Sequence, residues 1–295
     1  MRLPVLAGVG LLCVTIIGVV PGSAWGQKRQ PSYSVHPFCV QKVVQMWDLH
    51  SESSKGQLAV AECNRRFRRY EVKIPEADWL FADGPEADVP RPYFGYRVVG
   101  PLNSKVTLVE VSENGGGTGI FSSLAFIQGW PKETPSRGAR LTTVGIVEGG
   151  DRCQGTLTDT TILSPTTLRI SWLVTPASFL VAGPDFSIRE TAKGRYALGK
   201  LQDSDRLDYP PTRDGALSDY PSDCFGAATI EFDLASGAAR LIEVTVDTSA
   251  SPDTGQNQQC FNRLIREVGI GPSVSFSAEQ HLAFAQRYER ECSRS

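Results

Sequence analysis

ATIEFDLASGAARLIEVTVD, residues 228–247, decides the fold. Ile230, Phe232 and Leu234 alternate with Thr229, Glu231 and Asp233. After the glycine-containing turn LASGAAR, Ile242, Val244 and Val246 alternate with Glu243, Thr245 and Asp247. Successive side chains of a strand point to opposite faces, so each run buries one face and wets the other, as in an antiparallel sheet. The turn between them is short enough to close a hairpin.

The same alternation recurs upstream, where Leu168, Ile170, Trp172 and Val174 face away from Arg169, Ser171 and Thr175. ENGGGTG separates strand-like runs at 105–112 and 120–128, and SPTT at 164–167 separates two more. Roughly eight short strands with frequent turn signals indicate a sandwich or a closed barrel. No helices lie between them to carry parallel crossovers. The expectation is a mainly β protein: an antiparallel β-sandwich or barrel over residues 93–250, with a long irregular insertion at 183–224. TPASFLVAG, after Val174, reads as one short helix capped by Thr175, with Pro176 in its first turn.

The flanks read differently. In 251–295, Cys260, Phe261, Leu264, Ile265 and Val268 form one apolar helical stripe that Gly269 ends. Ser277 then opens SAEQ, a capping-box pattern closed by Gln280. Leu282, Ala285, Tyr288 and Cys292 follow on one face. This is a helical hairpin, and antiparallel helices bring Cys260 and Cys292 to the same end. Residues 27–74 form a small N-terminal disulfide module in which Val40, Val43, Val44 and Trp47 recur at helical spacing. The stretch from Leu58 to Tyr70 reads equally as helix or strand. Residues 75–92 hold four prolines and two copies of Pro-Glu-Ala-Asp around Trp79, Leu80 and Phe81. They read as a Pro-rich linker whose aromatics tuck onto the next domain, or as an acidic–aromatic partner motif.

Residues 1–26 read as a cleaved signal peptide: Arg2, an uncharged apolar run from Leu3 to Val20, a Pro21–Gly22 break, then small residues. Beyond it no segment is apolar enough for a transmembrane span. Cleavage leaves 29 basic against 32 acidic residues, a balance of −3. That gives no bulk attraction to nucleic acid or anionic lipid. Six cysteines remain, at 39, 63, 153, 224, 260 and 292. An even set in an exported chain reads as three disulfides, and sequence order pairs Cys39 with Cys63, Cys153 with Cys224 and Cys260 with Cys292. Asp151 and Asp223 near the middle pair oppose a reactive thiol there.

Chemistry is harder to find. The chain has no HExxH, GxSxG, SxxK or EF-hand loop. GRYALGKL, residues 194–201, has the spacing of a phosphate loop, but Leu201 stands where a magnesium-binding hydroxyl belongs. His36, His50 and His281 read as surface or capping residues. In the acidic stretch 203–223, Asp203, Asp205 and Asp208 are calcium candidates, since that cation takes six to eight oxygens. Tyr209, Tyr220 and Asp219 are candidates for a polar ligand site. NRRFRRY, residues 64–70, is the strongest basic run. It suits an anionic polymer or lipid head group, or a solvated face with arginine stems over apolar surface.

These features lead to an expected periplasmic or secreted, non-catalytic binding or envelope-interaction protein. Its partner is an envelope ligand or protein rather than nucleic acid, and nothing calls for a cofactor. The alternatives are an exported hydrolase cutting sugar or cell-wall polymer through carboxylates in 203–223, and a docking or inhibitor module for another protein.

Overall fold

A computed structural model describes residues 34–48, 53–54, 56–75, 78–84, 92–131, 138–153, 155–180, 224–248, 256–269 and 271–292, and the strand backbones of 186–190 and 196–200. The signal-peptide reading of 1–26 lies outside these residues. The protein is mainly β and, beside a short antiparallel pair of β1 (Trp47–Asp48) and β2 (Ser53–Ser54), consists chiefly of two antiparallel sheets.

The 228–247 hairpin is strands β14 (Gly226–Asp233) and β15 (Ala238–Asp247). They are the middle of a five-stranded sheet ordered β10 (Leu157–Ser164), β11 (Thr167–Val174), β14, β15, β16 (Ser273–Ser277). Asp233 closes the turn by accepting from the Ala235 N–H at 2.8 Å. Ile230, Phe232, Val244 and Val246 are buried as the alternation requires. One position differs. Thr229 pairs with Glu243 and Ile230 with Leu241, so Ile242 is bulged out of register and Leu241 takes the buried place. A bulge adds one residue to one strand and so flips the alternation on one side of it.

The larger sheet has seven strands, in the order β3 (Leu58–Ala59), β9 (Arg140–Asp151), β8 (Phe121–Gln128), β7 (Val106–Asn114), β6 (Tyr93–Pro101), β5 (Trp79–Asp83), β4 (Val72–Lys73). Among the described residues both sheets have open edges, so the arrangement is a sandwich and not a closed barrel. β5 falls in the stretch expected as a linker. Its three aromatic and apolar residues are ladder residues, with Trp79 opposite Arg97 and Phe81 opposite Gly95. The strand fits between prolines because Pro75, Pro85, Pro90 and Pro92 all flank Trp79–Asp83 and none falls inside it. The insertion expected to be irregular contains a hairpin of β12 (Phe186–Glu190) and β13 (Tyr196–Lys200). Tyr196–Lys200, the core of the phosphate-loop-like string, is therefore a strand.

The seven-stranded sheet is buried on both faces. Against one lie α1 (Pro37–Gln45) and α2 (Val60–Phe67), joined by Cys39–Cys63, with Val40, Val43 and Val60 packing on Tyr96, Val109 and Ile127. Leu108, Leu124, Phe126 and Val147 on the other face meet Leu168, Ile230, Phe232 and Val244 of the five-stranded sheet. The same core takes in α3 (Pro176–Leu180), α4 (Gln256–Val268) and α5 (Ala278–Cys292). Phe179 of α3 is edge-on to Phe225, Phe261, Phe276 and Phe284. Thr175 caps α3, accepting from the Ser178 N–H at 3.1 Å. Ser277 and Gln280 form a reciprocal capping box on α5, at 2.9 and 3.3 Å. The two C-terminal helices are linked by Cys260–Cys292, but β16 runs between them, so they form a hairpin interrupted by a strand. Cys153–Cys224 joins the loop after β9 to the start of β14, across 71 residues.

Candidate binding groove

At one end of the seven-stranded sheet, three local devices shape a groove of 1070 Å³. The first is the β6–β7 turn. Asn103 accepts from the N–H groups of Lys105 and Val106, both at 2.9 Å, and this holds Lys105 on the rim. The second is the exit from β8. Gly129 has φ of +79°, and an added Cβ would collide with the Arg140 carbonyl, so the position requires glycine. This turn lays Trp130 into the groove wall with its ring tilted at 72° to Tyr96. The third is the β3–β9 pair. Ala59 lies opposite Arg140, and Val60 donates to the Ala139 carbonyl at 3.0 Å. Gln57, just before this pair, lines the groove together with Arg140.

Gln57 and Arg140 also line a recess of 300 Å³ that continues the groove toward the helices. There the Cys39–Cys63 bridge draws α1 to α2, and Lys42 and Arg66 converge on the Phe67 ring, each 5.8 Å from its centroid. The basic run at 64–70 is thus an aromatic-backed cationic corner. Phe67 packs on the core while Arg65, Arg66, Arg68 and Arg69 stay exposed. Asn64 contributes structure: its side chain accepts from His36 N–H at 2.9 Å and donates to the Ser34 carbonyl at 3.0 Å.

The lining is mixed in chemistry. Asn103, Gln128 and Gln57 offer amides, while Ser104, Thr107 and Thr142 offer hydroxyls. Lys105, Arg140, Lys42 and Arg66 supply positive charge, and Glu62 is the carboxylate of the recess. Among the described residues, none of those four cations is ion-paired. Several cations elsewhere are: Arg169 and Arg240 share Glu231, Arg263 and Arg287 share Glu267 and Glu291, and Lys73 holds Asp83.

Away from the groove, the buried carboxylate of Glu110 is structural. Arg97 grips one oxygen of Glu110 at 2.9 and 2.7 Å, lies 3.6 Å from Asp159 and covers the Trp79 ring at 5.7 Å. Burial pushes the Glu110 carboxyl above its ordinary range, and Arg97 pulls partly against that. The clamp ties β5, β6 and β7 to β10 of the second sheet. With Arg97 occupying it, Glu110 is held as an ion-pair partner.

Of the described histidines, one is a cap, as expected, and both are buried rather than at the surface. His36 caps α1, accepting from Phe38 N–H at 3.2 Å, and is fully buried. His281 is also fully buried, with its Nε2 2.5 Å from the Phe179 carbonyl. The two sit in different cores on opposite faces of the large sheet, and His50 lies outside the described residues. Asp203, Asp205, Asp208, Tyr209, Asp219 and Tyr220 also lie outside them. Among the described residues, no group of three or more His, Cys, Asp or Glu is placed to hold a metal. No described helix is long and apolar enough to cross a membrane. Lys105, Trp130 and Arg140 carried no signal in the sequence, because they come from separate turns and share no motif. Only the 64–70 run pointed toward this corner. Compared with known protein families, with curated proteins and with solved structures, the chain matches none.

Proposed function

We propose that the protein is an exported, non-catalytic binding protein that takes an extended ligand along the groove between the β6–β7 turn, Trp130 and Arg140. The observation that carries this reading is a large groove whose lining combines neutral hydrogen-bonding side chains, one aromatic and cations without carboxylate partners. Such a lining orients a polar ligand through several contacts. Three disulfides are typical of an oxidising compartment, which supports export to the periplasm or beyond. The hydrolase alternative rests on carboxylates at 203–223 and takes nothing from the groove.

Native mass spectrometry of protein recovered from its own compartment tests the binding reading. The expected result is a retained mass that disappears in Thr142→Trp, which obstructs the groove at its wall. A retained mass that survives Thr142→Trp, or a bare protein, would overturn it.

A further inference from the structure

We infer that the groove ligand is an acidic polysaccharide, a hydroxyl-rich chain with repeated carboxylates; this rests on the binding reading above. Four cations line two neighbouring cavities that share Gln57 and Arg140, with Lys105 on the groove, Arg140 on both, and Lys42 and Arg66 on the recess. None has an acidic partner among the described residues, whereas Arg169 and Arg240 of the five-stranded sheet and Arg263 and Arg287 of the C-terminal helices are neutralised by neighbours. Unpaired like charges repel one another, and in a groove they also lose some hydration. An arrangement of this kind is relieved by an anion. Cations spread over two neighbouring cavities match a polymer with repeated charge better than a single small anion.

The neutral lining selects the rest of the chemistry. Amides of Gln57, Asn103 and Gln128 both donate and accept, as sugar hydroxyls require. Trp130 offers an apolar ring edge or face to the C–H side of a pyranose. A bilayer is a poor occupant, since a concave groove cannot lie on a flat surface as an interfacial amphipathic element does. A nucleic acid strand would want several stacking aromatics, and among the described residues the groove has one.

The test is affinity titration of the disulfide-intact mature protein with polygalacturonate, dextran, polyphosphate and phosphatidylglycerol vesicles. Polygalacturonate is expected to bind, with Kd rising as salt is added because exposed charges are screened. Lys105→Glu with Arg140→Glu is expected to weaken it by roughly tenfold or more, each reversal replacing an attraction with a repulsion. Lys105→Gln with Arg140→Gln should lie between that variant and the unaltered protein. Circular dichroism should be unchanged, since both side chains are exposed. Equal binding of dextran would overturn the acidic assignment and leave the binding reading standing. Tighter binding of polyphosphate or of vesicles would overturn the saccharide assignment. Failure of all four probes would overturn the inference, while a mass retained in the native spectrum would still support the binding reading. Variants that bind polygalacturonate as well as the unaltered protein would show that the groove is not its site.

Discussion

Gly95 shows how one missing side chain sets a local surface. It sits in β6 opposite Phe81, and an added Cβ would run into that ring. The space lets Phe81 lie over the strand, stack with Trp79 at 5.4 Å and meet Tyr93 edge-on at 5.6 Å. Gly95→Ala is expected to destabilise the protein by about 1–3 kcal/mol through overpacking. Phe81→Ala should cost less than a core deletion, since the ring is half-buried. The double variant should be clearly more stable than the sum of the two single effects. Urea unfolding of the four proteins gives the coupling energy, and simple additivity would remove Phe81 as the reason for glycine. The glycine itself is visible in the sequence. Its reason is not, because Phe81 reaches it only through a β5–β6 pairing that a proline-rich stretch concealed.

At the level of elements, legibility follows the range of the interaction that makes each one. The α5 capping box is read from SAEQ because donor and acceptor lie three residues apart, and both hydrogen bonds are present. Ser277→Ala is expected to cost about 1 kcal/mol, measured by urea unfolding. β16 is hard to read between the two helices because its pairing partner is β15, some thirty residues upstream, and SVSFS alternates strictly but over only five residues. The bridges divide in the same way. Cys260–Cys292 follows from helix geometry, whereas Cys153–Cys224 followed only from sequence order. Their loops differ, with separations of 32 and 71 residues. By loop-closure entropy, replacing each pair by alanine should cost about 3.7 and 4.4 kcal/mol respectively. Denaturant midpoints of the two double variants check this. A larger loss for 260–292 would mean that packing of the buried Cys292 outweighs chain entropy.

Across the whole molecule, the sheet that joins the two cores has a buried histidine on each side. His36 lies among Phe38 and Phe67, and His281 against Phe179. Burial lowers the basicity of both below the ordinary value of 6.5, only partly offset by the Tyr70 and Phe179 carbonyls. The unfolded chain therefore takes up protons that the folded protein refuses, and stability falls as pH drops below about 6.5, by up to 1.36 kcal/mol per pH unit for each histidine. Glu110 acts in another window and with the opposite sign. Its raised carboxyl adds stability that is present below its ordinary value of 4.5 and is lost as pH rises through the folded value. Glu231, Glu267 and Glu291 are held low by arginines, so their contributions are lost only below 4.5. The fall between pH 6.5 and 5.5 thus belongs chiefly to the histidines. His36→Asn keeps a good helix cap, and His281→Gln keeps a donor for the Phe179 carbonyl. Urea midpoints at pH 7.5 and 5.5 are expected to converge in the double variant and to differ in the unaltered protein. Each single variant should remove part of the difference, in one cooperative transition, because both cores rest on the same seven strands. Two separate transitions, or a double variant as acid-sensitive as the parent, would refute the account.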